Sequence, residues 1–177
     1  PLAYAVARQS TKIVGLLLSW EGDPNAKFSD TQQTALINAC FEKETEIVRL
    51  LVDSGADPRL AADVGLTPLE AAAGGGHAGA VQVLVDRDVL APDPTRAALR
   101  ALWLALDGNH LNVARQLIAA GVDCNSVIED FNLTPLMKAV ENGRKDLVQF
   151  LLDSGAIPDA RTDDDVTALT IAVVSQQ

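Results

Sequence analysis

The chain has 177 residues and a formal net charge of -10, and it is 48% hydrophobic but only 4% aromatic. Binding along a phosphate backbone needs a basic stripe that displaces counterions, so this charge opposes a nucleic-acid partner. No apolar run approaches the roughly 20 residues of a membrane-spanning helix, and nothing resembles a signal peptide.

With so few aromatics, a core must come from Leu, Val, Ile and Ala, which suits thin helical layers. The first residues, Pro1 to Ala7, read as a short helix with no turn or polar cap before it, and Ile13, Val14, Leu16, Leu17 and Leu18 follow at helical spacing. Gly22-Asp23-Pro24 stops that second helix. The pattern returns as Thr34-Ala35-Leu36 with Ala39 and Cys40, then Ile47, Val48, Leu50, Leu51 and Val52, closed by Gly55-Ala56-Asp57-Pro58. Gly55 is placed to take the left-handed conformation that ends a helix, and Pro58 bars its continuation. Lys43-Glu44 stands where a Gly-His pair stands one unit later, so this turn departs from the ideal.

The third unit is the most fully written: Gly65-Leu66-Thr67-Pro68-Leu69-Glu70-Ala71-Ala72-Ala73-Gly74-Gly75-Gly76-His77. Thr67 is an N-cap with Pro68 at the first helical position and Glu70 as capping-box partner. Its second helix carries Val81, Val83, Leu84 and Val85, but its end is not strongly written, because Asp88-Val89-Leu90 stands where Gly-Ala-Asp is expected. Pro92 and Pro94 then precede a basic helix-like stretch, Arg96 to Arg100, and the fourth unit returns to register through Leu102, Ala105, Asn109-His110 and Gly121-Val122-Asp123. The fifth is regular, from Thr134-Pro135-Leu136 through Gly143 to Gly155, and a sixth starts at Thr167-Ala168-Leu169.

A leucine followed three places later by alanine marks each unit: Leu2/Ala5, Leu36/Ala39, Leu69/Ala72, Leu102/Ala105, Leu136/Ala139 and Leu169/Ala172, in steps of 34, 33, 33, 34 and 33 residues. This period, with Thr-Pro-Leu heading a short helix, resembles the ankyrin repeat over the whole chain. The resemblance implies an all-α solenoid of helix-turn-helix units, about five pairs and a half repeat, in one domain over 1–177. The repeats fall at about 1–28, 29–61, 62–94, 95–128, 129–161 and 162–177, and the apolar first helix and partial last unit are expected of a segment excised from a longer array. The sequence departs from the family where its T-P-L-H histidine would stand: Ala3, Ile37, Glu70, Trp103, Met137 and Thr170 occupy that place, which predicts a less rigid stack.

Nothing in the sequence points to catalysis, a cofactor or a metal. His77 and His110 hold equivalent positions after a turn and are expected to bond turn backbone groups, not a shared ion. Gly74 to Gly79 formally contains G-x-G-x-x-G, but a helix precedes it where a nucleotide fingerprint needs a strand. Asp163-Asp164-Asp165 lacks the ligand alternation, glycine and terminal Glu of a calcium loop. No nucleophile elbow or H-E-x-x-H occurs. Cys40 takes the place of Ala73 and should pack as a small apolar residue, and Cys124 falls in a loop. No disulfide framework is expected, and the setting implied is reducing, intracellular and cytoplasmic.

Ankyrin arrays bind proteins with a concave palm of inner helices and with turn tips. Carried over by register, the tips lie near Lys27–Gln33, Arg59–Leu66, Asp93–Leu99, Val127–Leu133 and Arg161–Val166. Phe41 on the palm and Val64, Leu66, Phe131 and Leu133 at the tips are the candidate apolar anchors. Glu42, Asp63, Asp107, Asp130, Glu141 and Asp163 make an acidic rim suited to a basic or basic-hydrophobic segment. The partner-binding set is therefore Phe41, Glu42, Val64, Leu66, Asp107, Phe131, Leu133 and Glu141 on a monomeric domain. The alternative is a structural spacer or an autoinhibitory or regulatory arm of a larger enzyme, channel or receptor.

Overall fold

The computed structural model describes residues 1–28, 32–87, 96–127 and 132–175. Among these residues eleven helices follow one another: α1 (Leu2–Ala7), α2 (Thr11–Ser19), α3 (Ala35–Phe41), α4 (Thr45–Asp53), α5 (Pro68–Gly74), α6 (Ala78–Val85), α7 (Arg96–Asp107), α8 (Leu111–Ala119), α9 (Pro135–Glu141), α10 (Lys145–Asp153) and α11 (Ala168–Val174). Each odd helix packs on the even helix after it, from α1 on α2 to α9 on α10. The odd helices also pack on one another in an unbroken row from α1 to α11, and α2, α4, α6 and α8 form a second row. The result is an all-α stack of two-helix layers.

The helix starts follow from local chemistry. Thr34, Thr67, Thr134 and Thr167 each sit in extended backbone and accept a hydrogen bond from the amide three residues on, at 3.2–3.3 Å. At Thr67 the box closes fully: Glu70 Oε2 accepts from the Thr67 amide at 2.7 Å and from its hydroxyl at 2.9 Å.

The turn inside each pair needs one left-handed residue, supplied by Gln9, Lys43, Gly76, Asn109 and Gly143 in turn. Gly76 suits that conformation and also makes room for a neighbour, since a Cβ there would meet the His110 ring at 2.5 Å. Lys43 adopts φ 60° with a side chain attached, as Gln9 and Asn109 also do, so the Lys43-Glu44 turn is less ideal than the glycine turns, as the sequence implied, at a cost of about 1 kcal/mol. Between pairs, Gly55, Gly121 and Gly155 take positive φ as helix terminators. In the first pair Glu21 does so instead, one residue before Gly22, where a Cβ would strike the Leu17 carbonyl oxygen at 2.5 Å.

The marker leucines Leu2, Leu36, Leu69, Leu102 and Leu136 are all buried, as are Ala5, Ala39, Ala72, Ala105 and Ala139. They line up as equivalent rungs, each leucine contributing about 1.5–3 kcal/mol of burial. Leu169 differs at 71% exposed. Among the described residues α11 packs on α9 but has no second helix of its own, so the side chain that a paired helix covers in the earlier units stays open.

Ties between layers recur at the same register. Asn25 Oδ1 accepts from the Asp57 amide at 2.7 Å, and Asn125 Oδ1 accepts from the Ile157 amide at 2.9 Å. The absent T-P-L-H histidine is replaced differently in each layer. Glu70, 1% exposed, accepts the Arg100 Nε at 3.1 Å and so links α5 to α7, while Met137 Sδ stands 3.5 Å from the Thr134 amide. Arg96 to Leu99, expected near a turn tip, instead form the first turn of α7, which is longer than the other inner helices. That added turn carries Arg100 over Glu70.

Candidate partner-binding surface

The ends of α3, α5, α7 and α9 bring Phe41, Glu42, Gly74, Gly75, Asp107 and Glu141 to equivalent places along the inner row. Phe41 is 43% exposed at the last residue of α3. In the next layer Gly74 and Gly75 offer no side chain, and a Cβ on Gly74 would touch only Leu104, at 3.7 Å. Phe41 therefore borders a low stretch of floor.

The tips are short turns. The Ala62 amide donates to the Leu66 carbonyl at 2.9 Å and Thr162 to Val166 at 3.0 Å, with Gly65 and Asp165 left-handed at their apices. Val64 stands 80% exposed on the first of these, and Val127 is also exposed. Leu66 and Leu133 do not stand free in water as anchors: both are partly buried against the core, because each sits where its turn returns to an inner helix. Phe131 and Asp130 lie outside the described residues.

The acidic rim is partly neutralised from within. Lys27 Nζ lies 3.2 Å from Asp63, and Gln9 Nε2 donates to Glu42 at 3.2 Å. Lys138, its side chain only 13% exposed, reaches Asp107 at 2.8 Å and Glu141 at 3.0 Å, with its ammonium 5.1 Å from the centre of the Trp103 ring. The hydrogen bond from Lys138 holds the Asp107 carboxyl below its ordinary range, against a smaller opposing effect of burial. Burial pulls the Lys138 ammonium down, but its bonds to Asp107 and Glu141 outweigh this and keep it raised. The two acids share one cation, so this part of the palm keeps a net negative charge while presenting a fixed polar cluster. The sequence reading named the acids and missed Lys138; its position three residues before Glu141 on one helix face was the available signal.

His77 and His110 were expected to bond turn backbone groups, and each instead reaches the helix ends of the preceding layer. His77 Nδ1 is 3.3 Å from the Cys40 carbonyl and Nε2 is 2.8 Å from Thr45 Oγ1, while His110 Nε2 is 3.1 Å from the Gly74 carbonyl. Cys40 and Cys124 are buried free thiols, and burial raises both above the usual thiol range. Among the described residues no helix is long and apolar enough to cross a membrane.

A family profile described as ankyrin repeats, in three copies, matches residues 1–62, 54–128 and 102–177, which together span the chain. The chain belongs to the ankyrin-repeat family. Such repeats are generally protein-interaction modules without catalysis of their own. This ankyrin-repeat chain is 27% identical to the ankyrin repeat domain of Bcl-3, a member of the IkappaB protein family, with a TM-score of 0.86 over 97% of this chain and 78% of that one. It is 40% identical over 98 residues to human ankyrin repeat and KH domain-containing protein 1, covering 54% of this chain and 4% of that protein. It is 29% identical over 143 residues to a Caenorhabditis briggsae ankyrin repeat and KH domain-containing protein, covering 80% of this chain and 5% of that protein. To neurogenic locus notch homolog protein 1 of Xenopus tropicalis it is 30% identical, covering 80% of this chain and 6% of that protein. The chain thus spans about a twentieth of the length of these curated relatives.

Proposed function

We propose that this ankyrin-repeat segment receives a basic or basic-hydrophobic segment of a partner protein on its palm and finger turns. Phe41 is the observation that carries this reading. It is a half-exposed aromatic at the end of α3 in the inner row, beside the Glu42 carboxylate and the bare Gly74-Gly75 floor. Exposed aromatics next to low ground are where partner anchors seat. Val64 and Val127 extend the apolar strip to the fingers, and Asp107 and Glu141 continue it as the acidic part around Lys138. Leu66 and Leu133 serve this reading by holding the fingers against the core, and Phe131 belongs to the same strip by register. A chain of net charge -10 also draws in basic segments over long range.

The test is selection from a random-peptide display library, followed by affinity measurement on Phe41→Ala. Enriched peptides should carry Lys or Arg beside a bulky apolar residue. The variant should bind them about tenfold or more weakly, as for an interface anchor, with unchanged helical circular dichroism. Raising the salt concentration should weaken binding further. Equal binding by the variant would remove Phe41 from the surface.

A second reading, a spacer or regulatory arm of a larger protein, draws on the two end faces. Tyr4, Ile13, Leu16 and Trp20 are exposed at one end, and Leu152, Ile157, Leu169, Val173 and Val174 at the other. Next to the last group lies a cleft of about 390 Å³ lined by Val140, Gly143, Lys145, Val148, Gln149 and Ala172. Apolar surface of this kind is where further protein packs. If the selected peptides map to these ends and not to Phe41, the spacer reading gains and the palm reading loses.

A further inference from the structure

We propose that the junction between the second and third repeats is acid-sensitive, with His77 as the group that loosens it and, through the Cys40 carbonyl, unseats the Phe41 end of the palm. His77 caps α6 but spends both ring nitrogens on the layer before it, Nδ1 on the Cys40 carbonyl at 3.3 Å and Nε2 on the Thr45 hydroxyl at 2.8 Å. The side chain is buried. A neutral ring fits both partners at once, Nδ1 donating to the carbonyl and Nε2 accepting from the hydroxyl. The hydroxyl is itself held close, because a Cβ on Gly79 would meet Thr45 Oγ1 at 2.4 Å. Protonation would turn Nε2 into a donor, so the Thr45 hydroxyl would have to accept from it and turn its own hydrogen away from the ring. It would also place a charge on a residue that is only 6% exposed, which is costly.

The surrounding charges do not rescue that cation. The turn between α3 and α4 brings Lys43, which opposes it, and Glu44, which favours it, with smaller effects than burial. Helix α6 has no charged residue, α5 has only Glu70, at its far end and already bonded to Thr67 and Arg100, and of the charges on α4, Glu46, Arg49 and Asp53, none is among those that act on the ring. On the other side the His110 ring lies against Gly76. Burial lowers the His77 pKa from its ordinary 6.5, in spite of the favourable Cys40 carbonyl. A histidine whose folded pKa is lowered contributes stability that is fully present above the unfolded value and is lost as pH falls below it toward the folded value. The sensitive window therefore opens at about pH 6.5 and extends downward. The neighbouring junction has no equivalent lock: His110 is only partly buried and bonds a single carbonyl.

Hydrogen exchange by mass spectrometry on the 177-residue chain, corrected for intrinsic rates, tests this between pH 7.5 and 5.5. In the wild type the amides of α3, α4 and the start of α6 should open more readily below pH 6.5, by up to about tenfold per pH unit for one proton. His77→Gln should abolish that response and His110→Gln should leave it intact. Should His77→Gln fail to fold, carbon-detected titration of the two histidine rings in the wild type decides instead, with His110→Gln giving the assignment. A His77 ring that titrates clearly below pH 6.5 supports the lock. One that titrates at or above it, or an acid response shared equally by wild type and His77→Gln, overturns it.

Discussion

Replacing Leu102 by Ala should cost about 2–5 kcal/mol, the range for removing a fully buried leucine whose surroundings relax only in part. Leu102 has no exposed surface, and α7 packs on α5 on one side and α9 on the other as well as on α8, so the hole would open against three elements. A stacked array holds together through contacts between neighbouring layers alone. A cavity in the fourth layer therefore weakens two interfaces and should separate the unfolding of the first three repeats from the last two. Urea denaturation followed by circular dichroism would show a lower midpoint and a broadened transition. Leu169→Ala is the control. It changes the same register position, but there the leucine is 71% exposed, and the expected effect is within about 0.5 kcal/mol. Equal losses at both positions would mean that burial along the row does not set the stability.

Ala105→Leu should destabilise the same helix from the opposite direction, by about 1–3 kcal/mol, because the layer has no spare volume and added methylenes force neighbours off their rotamers. Ala5, Ala39, Ala72, Ala105 and Ala139 are all buried at one register. The small residue there sets the distance at which successive inner helices approach. A leucine would push α7 from its neighbours, and the melting temperature should fall by roughly 2–4 °C for each kcal/mol in a chain of this length. An unchanged melting curve would contradict the assignment of Ala105 to the contact between layers.

The stack was legible because its signals are local and repeated. Thr67 and Glu70 announce a helix start through bonds within three residues, and the leucine and alanine marks need only counting. What escaped the sequence lies between layers, where partners are about 30 to 37 residues apart. His77 bonds Cys40 and Thr45, and Lys138 bonds Asp107. No spacing rule inside one repeat foretells such pairs. Glu70 looked like a capping residue and also proved to be the link to Arg100, which depends on the added turn of α7. On the candidate surface, the exposure of Phe41 and Val64 was readable from their palm and tip positions. Leu66 and Leu133 were not, because a residue at the foot of a finger turn looks the same in sequence whether it points to water or to the core. The acidic rim was visible as composition, and the Lys138–Glu141 pair as a three-residue spacing, while the pairs Lys27–Asp63 and Lys138–Asp107 join residues of different layers.

Site-resolved amide hydrogen exchange on the free chain at neutral pH tests most directly whether equivalent layers share the load. Slow exchange is expected in α3, α5, α7 and α9 at positions 33 or 34 residues apart, greatest near Leu69 and Leu102 and declining toward α1 and α11, which among the described residues pack on one inner helix each. Protection that ignores this period, or that peaks in α11, would contradict the account.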